Sequence, residues 1–322
     1  MIKIWLKFPW LKVLLLAFLL SGGVLNGIAW MQARAMTHYV EGEERTAKPE
    51  KLSLTDKAWI VLTGVQLPRP TNHQTPQVFG LTYKTHRIPL PDEEELEAWF
   101  VPAKIPRGIV LLFPPYGASK QTLLAPSKIF HELGYDALLV DFRGVGGSSR
   151  SDTTLGVREA QDVAQAVAYV QQKWSGHPTL LYGASMGAVA VMRAIAHEGV
   201  TPTAAILESP FDRLLNTVRN RFEAMNIPSF PGAELIVWWG GWQQGINGFA
   251  HNPTEYANQI KCPILLMHGE YDKRVTLQEV ESIFSSLPGR KQLVVFSAVG
   301  HGSLASDDPP KWKQQMRKFL QI

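Results

Sequence analysis

The stretch TLLYGASMGAVAVMRAIA, residues 179–196, changes character at its middle. Thr179, Leu180, Leu181 and Tyr182 form a short apolar run behind Pro178, the pattern of a strand buried on both faces. From Met186 to Ala196 the chain is rich in Ala and Met and reads as a helix. Gly183-Ala184-Ser185-Met186-Gly187 must turn the chain from one into the other. A turn that sharp strains the backbone at Ser185, and side chains at 183 or 187 would collide with the adjoining elements. It leaves the Ser185 hydroxyl exposed at the carboxyl edge of a sheet, with the Met186 N–H directed at the same point from a helix N-terminus. The bland alternative is a glycine-bracketed serine that only caps a helix.

Outward from this turn, the runs 109–113, 137–140, 204–207, 264–267 and 293–296 repeat the buried-strand pattern between Gly, Pro or Asp. Residues 81–90 and 96–101 look like a strand pair joined by the acidic turn 91–95. Helical patterns fall between the strands at 125–133, 277–287 and 311–320. Val157, Ala160, Val163, Ala164, Val167 and Ala168 draw one apolar stripe, with Glu159, Asp162 and Gln165 off it. Strand–helix alternation of this length predicts an α/β fold with a mostly parallel, doubly wound sheet. Residues 211–260 break the alternation and read as a helical lid insertion over the sheet. Phe222, Met225, Phe230, Trp238, Trp239, Trp242 and Phe249 there suit either an apolar lid hinged at Gly240, Gly241, Gly245 and Gly248, or ordinary helix packing.

A serine hydroxyl is a poor nucleophile until a base removes its proton, so a histidine and an orienting acid are needed. Asp272 follows the run 264–267 and His301 follows the run 293–296, which places both on loops at the same sheet edge as Ser185. Asp272 would fix the imidazole of His301, and His301 would deprotonate Ser185. Glu208 and Asp212 compete for the acid role. Asp141 reads instead as the start of a tight turn, 141–148, held by Asp and Arg. His268 reads as a packed histidine, and the seven remaining histidines, His251 among them, as surface residues without metal-ligand spacing. Charge developing on a substrate carbonyl needs two N–H donors, each worth about 3–4 kcal/mol of barrier. Met186 supplies one. Pro114 and Pro115 have no N–H, so Tyr116 is the first possible second donor after the run 109–113.

The 322 residues carry 32 Lys+Arg against 28 Asp+Glu, a net charge of +4. Lys3, Lys7, Lys12 and Arg34 lie in an N-terminal stretch, 1–35, that has no acid, so the remainder is neutral and no nucleic-acid partner is implied. The single cysteine, Cys262, excludes an internal disulfide framework. No metal or nucleotide motif is present, and no cofactor is implied. Residues 13–30 are uncharged behind the lysines and suit either a membrane anchor or an export signal cleaved at 21/23, 27/29 or 33/35. Either way the lysines stay in the cytoplasm, and Glu41, Glu43 and Glu44 with the body lie outside, anchored or secreted. Residues 36–78 are polar and Pro-bearing, a linker with a short helix near 58–65.

Over residues 79–322 the chain resembles the α/β-hydrolase superfamily, in particular serine hydrolases akin to the serine aminopeptidase-like proteins. Gly183–Gly187, the 141–148 turn, Asn252-Pro253 with Tyr256-Ala257, 262–272 and Val299-Gly300-His301 carry the likeness. It implies esterase, lipase, thioesterase or peptidase-type acyl transfer to water with Ser185, Asp272 and His301 as the triad; the substrate expected is a small-molecule or lipid-like acyl compound. Relatives usually carry His-Gly where this chain has Pro114-Pro115. An aminopeptidase would need an acidic pocket, for which Glu208, Asp212 and Glu223 are the nearest candidates. A non-catalytic binding protein on the same scaffold is the remaining alternative.

Overall fold

A computed structural model describes residues 9–42, 46 and 53–322; Lys3, Lys7, Glu43 and Glu44 fall outside them. Two helices lead, α1 (Pro9–Thr37) and α2 (Leu54–Thr63), the second opened by a Ser53–Asp56 capping box. Then follow β1 (Lys84–Pro89), β2 (Glu95–Val101), β3 (Ile109–Phe113), α3 (Leu124–Glu132), β4 (Asp136–Val140) and α4 (Val157–Lys173). The nucleophile turn joins β5 (Thr179–Ala184) to α5 (Met186–His197), and β6 (Ala204–Glu208) comes next. The helical insertion contributes α6 (Leu214–Ala224), α7 (Gly232–Gln244) and α8 (Pro253–Ala257). The chain ends with β7 (Ile264–Gly269), α9 (Leu277–Ser286), β8 (Lys291–Phe296), α10 (Leu304–Asp307) and α11 (Pro309–Leu320).

Among the described residues the strands form one eight-stranded sheet, ordered β1-β2-β4-β3-β5-β6-β7-β8. β2 runs antiparallel to both neighbours and β3 through β8 pair in parallel, as α/β alternation demands. Alternate strand residues serve the two cores. Ile109, Leu111, Leu181, Ala205 and Leu266 face α4, α5 and α9, whereas Val110, Leu112, Leu180, Ile206 and Leu265 face α3 and α11. β8 departs from the expected fully buried strand. It is the sheet edge, and all but Phe296 is half-buried.

The stripe of α4 also sits differently from its sequence pattern. Ala160, Val163, Ala166, Val167 and Val170 are buried while Ala168 is exposed, and the two acids expected off the stripe are buried. Their partners explain this. Glu159 accepts the Thr153 and Thr154 hydroxyls and the Gly156 N–H, and Asp162 takes the Arg143 guanidinium at 2.7 Å. A third, smaller core joins α1 to the insertion: Ala29 and Ala33 pack against Val218, Ala233, Ile236 and Val237.

Candidate active site

Ser185 occupies φ 51°, ψ −114°, a conformation that L residues rarely adopt. Its N–H donates to the Glu208 carbonyl at 2.7 Å, pinning the turn to β6. A Cβ on Gly183 would lie 2.5 Å from the Ala188 nitrogen and from the Gly187 carbonyl group. A Cβ on Gly187 would strike the Phe113 and Pro114 carbonyls, because the loop after β3 lies directly against the turn. Met186, the first residue of α5, has no carbonyl within its own helix to receive its N–H.

Three loops at strand ends bring three side chains into one line. His301 Nε2 lies 3.2 Å from Ser185 Oγ, and His301 Nδ1 lies 2.6 Å from Asp272 Oδ2. A carboxylate can only accept, so Nδ1 carries the ring proton and the Nε2 lone pair faces the serine hydroxyl. Asp272 is fixed in turn, its Oδ1 accepting the N–H groups of Arg274 at 2.8 Å and Val275 at 3.0 Å. Burial pushes the Asp272 pKa up. The His301 hydrogen bond and charge, with those two N–H donors, outweigh it and hold the carboxyl below its ordinary value.

The competing acids lie elsewhere. The Glu208 carboxylate accepts from Trp312 Nε1 at 2.6 Å, and burial, opposed by that bond, pushes its pKa up to about 7. Asp212 accepts twice from Asn216, at 3.1 and 2.8 Å, and Glu223 is exposed. The three do not gather into one acidic pocket. Asp141 does organise its turn, accepting the Gly147 N–H at 3.1 Å. Its cation is the fully buried Lys120, which also bonds Glu97 at 2.7 Å, whereas Arg143 reaches out of the turn to Asp162 and Glu94. Nothing in the sequence pattern marked Lys120 as buried.

His268 is buried, with Nδ1 3.1 Å from Ser209 Oγ and 3.9 Å from Asp272; burial lowers its pKa, the nearby Asp272 charge opposing. His251, expected at the surface, is instead buried. Its Nε2 faces the Leu155 carbonyl at 3.0 Å and its Nδ1 the Tyr256 hydroxyl at 2.8 Å. The carbonyl must accept, so Nε2 carries the proton and Tyr256 donates to Nδ1. Burial lowers the His251 pKa to about 4.

Tyr116 connects the site to a distant part of the chain. Its hydroxyl donates to the Met36 carbonyl of α1 at 2.6 Å, and the Arg221 guanidinium of α6 lies 5.2 Å over its ring. Gly240 and Gly241 lie inside α7, a Cβ on Gly240 would sit 3.7 Å from the Ala33 Cβ, and Gly245 ends the helix at φ 66°. Phe230, Trp238, Trp242 and Phe249 are exposed. Among the described residues no group of three or more His, Cys, Asp or Glu side chains is arranged to hold a metal ion.

Comparison with known proteins now adds to the geometry. The prolyl oligopeptidase family matches residues 123–322. The lysophosphatidylserine lipase ABHD12 of Danio rerio is 28% identical over 181 residues, 53% of this chain and 46% of that protein. The chain thus spans about half the length of the curated ABHD12 relatives it matches. The uncharacterized protein YqkD of Bacillus subtilis (strain 168) is 22% identical over 83% of this chain and 84% of its own. Among solved structures, the Pyrococcus furiosus esterase Pf2001 superimposes with a TM-score of 0.68 at 23% identity, covering 79% of this chain and 96% of that one. Est1E from Butyrivibrio proteoclasticus, solved with ferulic acid bound, gives 0.58 at 19% identity over 74% of this chain and 100% of that one. The likeness to the esterase structures establishes the α/β-hydrolase fold.

Proposed function

The chain belongs to the prolyl oligopeptidase family, and from that premise we propose that it is a membrane-anchored serine hydrolase cleaving carboxylic esters, with Ser185, His301 and Asp272 as its triad. The observation that carries this reading is the continuous hydrogen-bonded line from Ser185 Oγ through His301 to Asp272, at 3.2 and 2.6 Å. His301 Nε2 takes the serine proton as Oγ attacks the ester carbonyl. The N–H groups of Met186 and Tyr116 receive the negative charge on the carbonyl oxygen. The imidazolium, steadied by Asp272, returns its proton to the departing alcohol, leaving an acyl-serine. Water deprotonated by His301 then releases the acid and regenerates Ser185.

A lipid-like substrate is supported by the lysophosphatidylserine lipases among the relatives and by α1, which is long and apolar enough to cross a membrane. The basic start of the chain orients that helix with its N-terminus in the cytoplasm and the hydrolase domain outside. Cleavage at 21/23, 27/29 or 33/35, each within α1, would release the same enzyme as a secreted protein. The family's description keeps peptide-bond hydrolysis by the same triad as a second reading.

Fluorophosphonate labelling of the full-length protein beside Ser185→Ala, with esters of graded chain length and aminoacyl amides as substrates, tests this. Label on the wild type alone, with ester turnover falling at least about 10⁴-fold in the variant, is the expected result. Label that persists in Ser185→Ala moves the nucleophile elsewhere. Amide turnover without ester turnover establishes the peptidase, and an intact triad that neither labels nor turns over establishes a binding protein.

A further inference from the structure

The carbonyls of a helix's last turn have no partner inside the helix and need one outside it. At the end of α1 those partners come from the hydrolase domain. The Met36 carbonyl accepts the Tyr116 hydroxyl at 2.6 Å, and the Thr37 carbonyl accepts the Thr153 N–H at 2.9 Å. The chain leaving the helix continues the attachment. Tyr39 N–H donates to the Ser151 carbonyl at 2.9 Å and Val40 N–H to the Leu67 carbonyl at 3.0 Å, and single β-bridges pair His38 with Asp152 and Val40 with Pro68. We propose that this strap, residues 36–40, positions the oxyanion hole, with Tyr116 and Tyr39 as the side chains through which it acts. This role rests on the esterase reading of Ser185 and adds what holds that site's two N–H donors in place.

Tyr116 carries one donor. The loop that presents it contains Pro114 and Pro115, which have no N–H to tie it to a neighbouring strand. On one side the loop rests on the nucleophile turn, so closely that a Cβ on Gly187 would lie 2.4 Å from the Phe113 carbonyl oxygen. On the other side the tie is the Tyr116 side chain itself. Its hydroxyl reaches the carbonyl end of α1, where the helix dipole favours a donated proton. Tyr39 packs beneath the same loop. It is buried, and its hydroxyl faces the Tyr116 side chain, the Gly117 backbone and the Thr153 side chain.

Met186 carries the other donor, and it reaches the strap through one residue. Met186 Sδ lies 3.6 Å from Thr153 Oγ1. Thr153 is fully buried, its hydroxyl held by Glu159 and its N–H held by the Thr37 carbonyl. Both halves of the hole therefore back onto the same five residues. Ala29 and Ala33, packed against α6 and α7, fix where the end of α1 stands, so the membrane helix does more than tether the domain. A donor to a tetrahedral oxygen acts only when held about 2.7–3.1 Å from it, which makes the strap's grip a term in the rate.

The test uses the full-length protein in phosphatidylcholine nanodiscs, with Tyr116→Phe and Tyr39→Phe, each of which keeps its ring and loses one hydroxyl. Outright loss of an oxyanion donor costs about 10²–10³ in kcat, and a donor displaced but still present costs less. For a p-nitrophenyl ester, Tyr116→Phe should lower kcat about 20-fold and Tyr39→Phe about fivefold, with KM within about twofold, because the charge forms only in the transition state. Inhibition by a trifluoromethyl ketone, whose adduct with Ser185 places an oxyanion in the hole, should weaken by the same factors. The corresponding secondary alcohol, which forms no adduct, should bind both variants as it binds the wild type. Equal weakening of ketone and alcohol, or kcat within twofold of wild type in both variants, overturns the proposal. Amide exchange over residues 116–119 gives a reading independent of turnover and should quicken at least about tenfold in Tyr116→Phe while β3 keeps its rate. Unchanged exchange there also overturns it. A wild type that turns over no ester and forms no ketone adduct, while its Tyr116→Phe variant shows the faster exchange, sinks the esterase reading and leaves the strap's hold on the loop standing.

Discussion

The rim that carries Ser185, Asp272 and His301 and the helical crown made by α1, α6 and α7 hold their shapes by different means. The rim hangs on β5 and β7, buried except at Ala184, and on the half-buried edge strand β8, and its functional atoms are fixed by short polar bonds, as the two N–H groups on Asp272 illustrate. The crown is held by small side chains, Ala29, Ala33 and Ala233 among them, and by long-range polar contacts of α7, two to α1 and one from Arg158 to Gln244. The difference follows from the tasks. Proton transfer needs atoms placed to a few tenths of an ångström, which a packed sheet provides. A helical layer held by small side chains and a few polar ties is free to open locally at less cost than the sheet.

Attack on the rim should produce the largest effect. Asp272→Asn can donate to His301 Nδ1 and so stabilise the tautomer whose Nε2 is protonated, which cannot accept the serine proton. A fall in kcat of about 10⁴-fold with little change in melting temperature is expected. A loss below tenfold would mean that Asp272 does not orient the ring.

The tie between crown and body gives a pH signature. His251 bridges Leu155 and Tyr256, and its folded pKa of about 4 lies below the ordinary 6.5. The unfolded chain therefore binds more protons between these values, so this contribution is complete above pH 6.5 and is lost as pH falls towards 4. At about 1.4 kcal/mol per unit, the loss is about 3 kcal/mol. Asp162, Glu208 and Glu279, raised to about 7, act with the opposite sign over an overlapping range. Urea titrations from pH 7 to 4 on the wild type and His251→Asn isolate the histidine, and identical slopes for the two proteins would rule it out.

The smallest effect concerns the crown alone. Trp239→Phe removes one hydrogen bond, worth about 1 kcal/mol. Amide exchange in α7 should accelerate about fivefold while β5 and β7 keep wild-type rates. Equal acceleration in both places would show that crown and rim open as one unit, and the contrast between them would fail.

Much of the rim was legible in the chain because the relevant signals are local. Each parallel strand is a short apolar run closed by Gly, Pro or Asp, and Gly183 and Gly187 mark a turn that no larger residue can enter. What failed to show was pairing across long separations. The periodicity of α4 placed Asp162 outside the core because the pattern records hydrophobicity, not the Arg143 that neutralises the acid. Lys120 and His251 were invisible as buried groups for the same reason: Asp141 and Glu97 in one case, Tyr256 and the Leu155 carbonyl in the other, are distant in sequence or are backbone atoms.

The order of strands and helices, the glycine-bracketed serine and the candidate acid and base on the loops of later strands were decided by the amino-acid sequence alone, since alternation, turn sterics and residue chemistry act within a few residues. Tertiary structure alone decided that α1 emerges against α7 and that Met36 receives the Tyr116 hydroxyl. Small alanines and glycines permit that approach, but only the fold brings residues 26–37 and 214–246 to the same place, because packing is set by shape across the whole molecule.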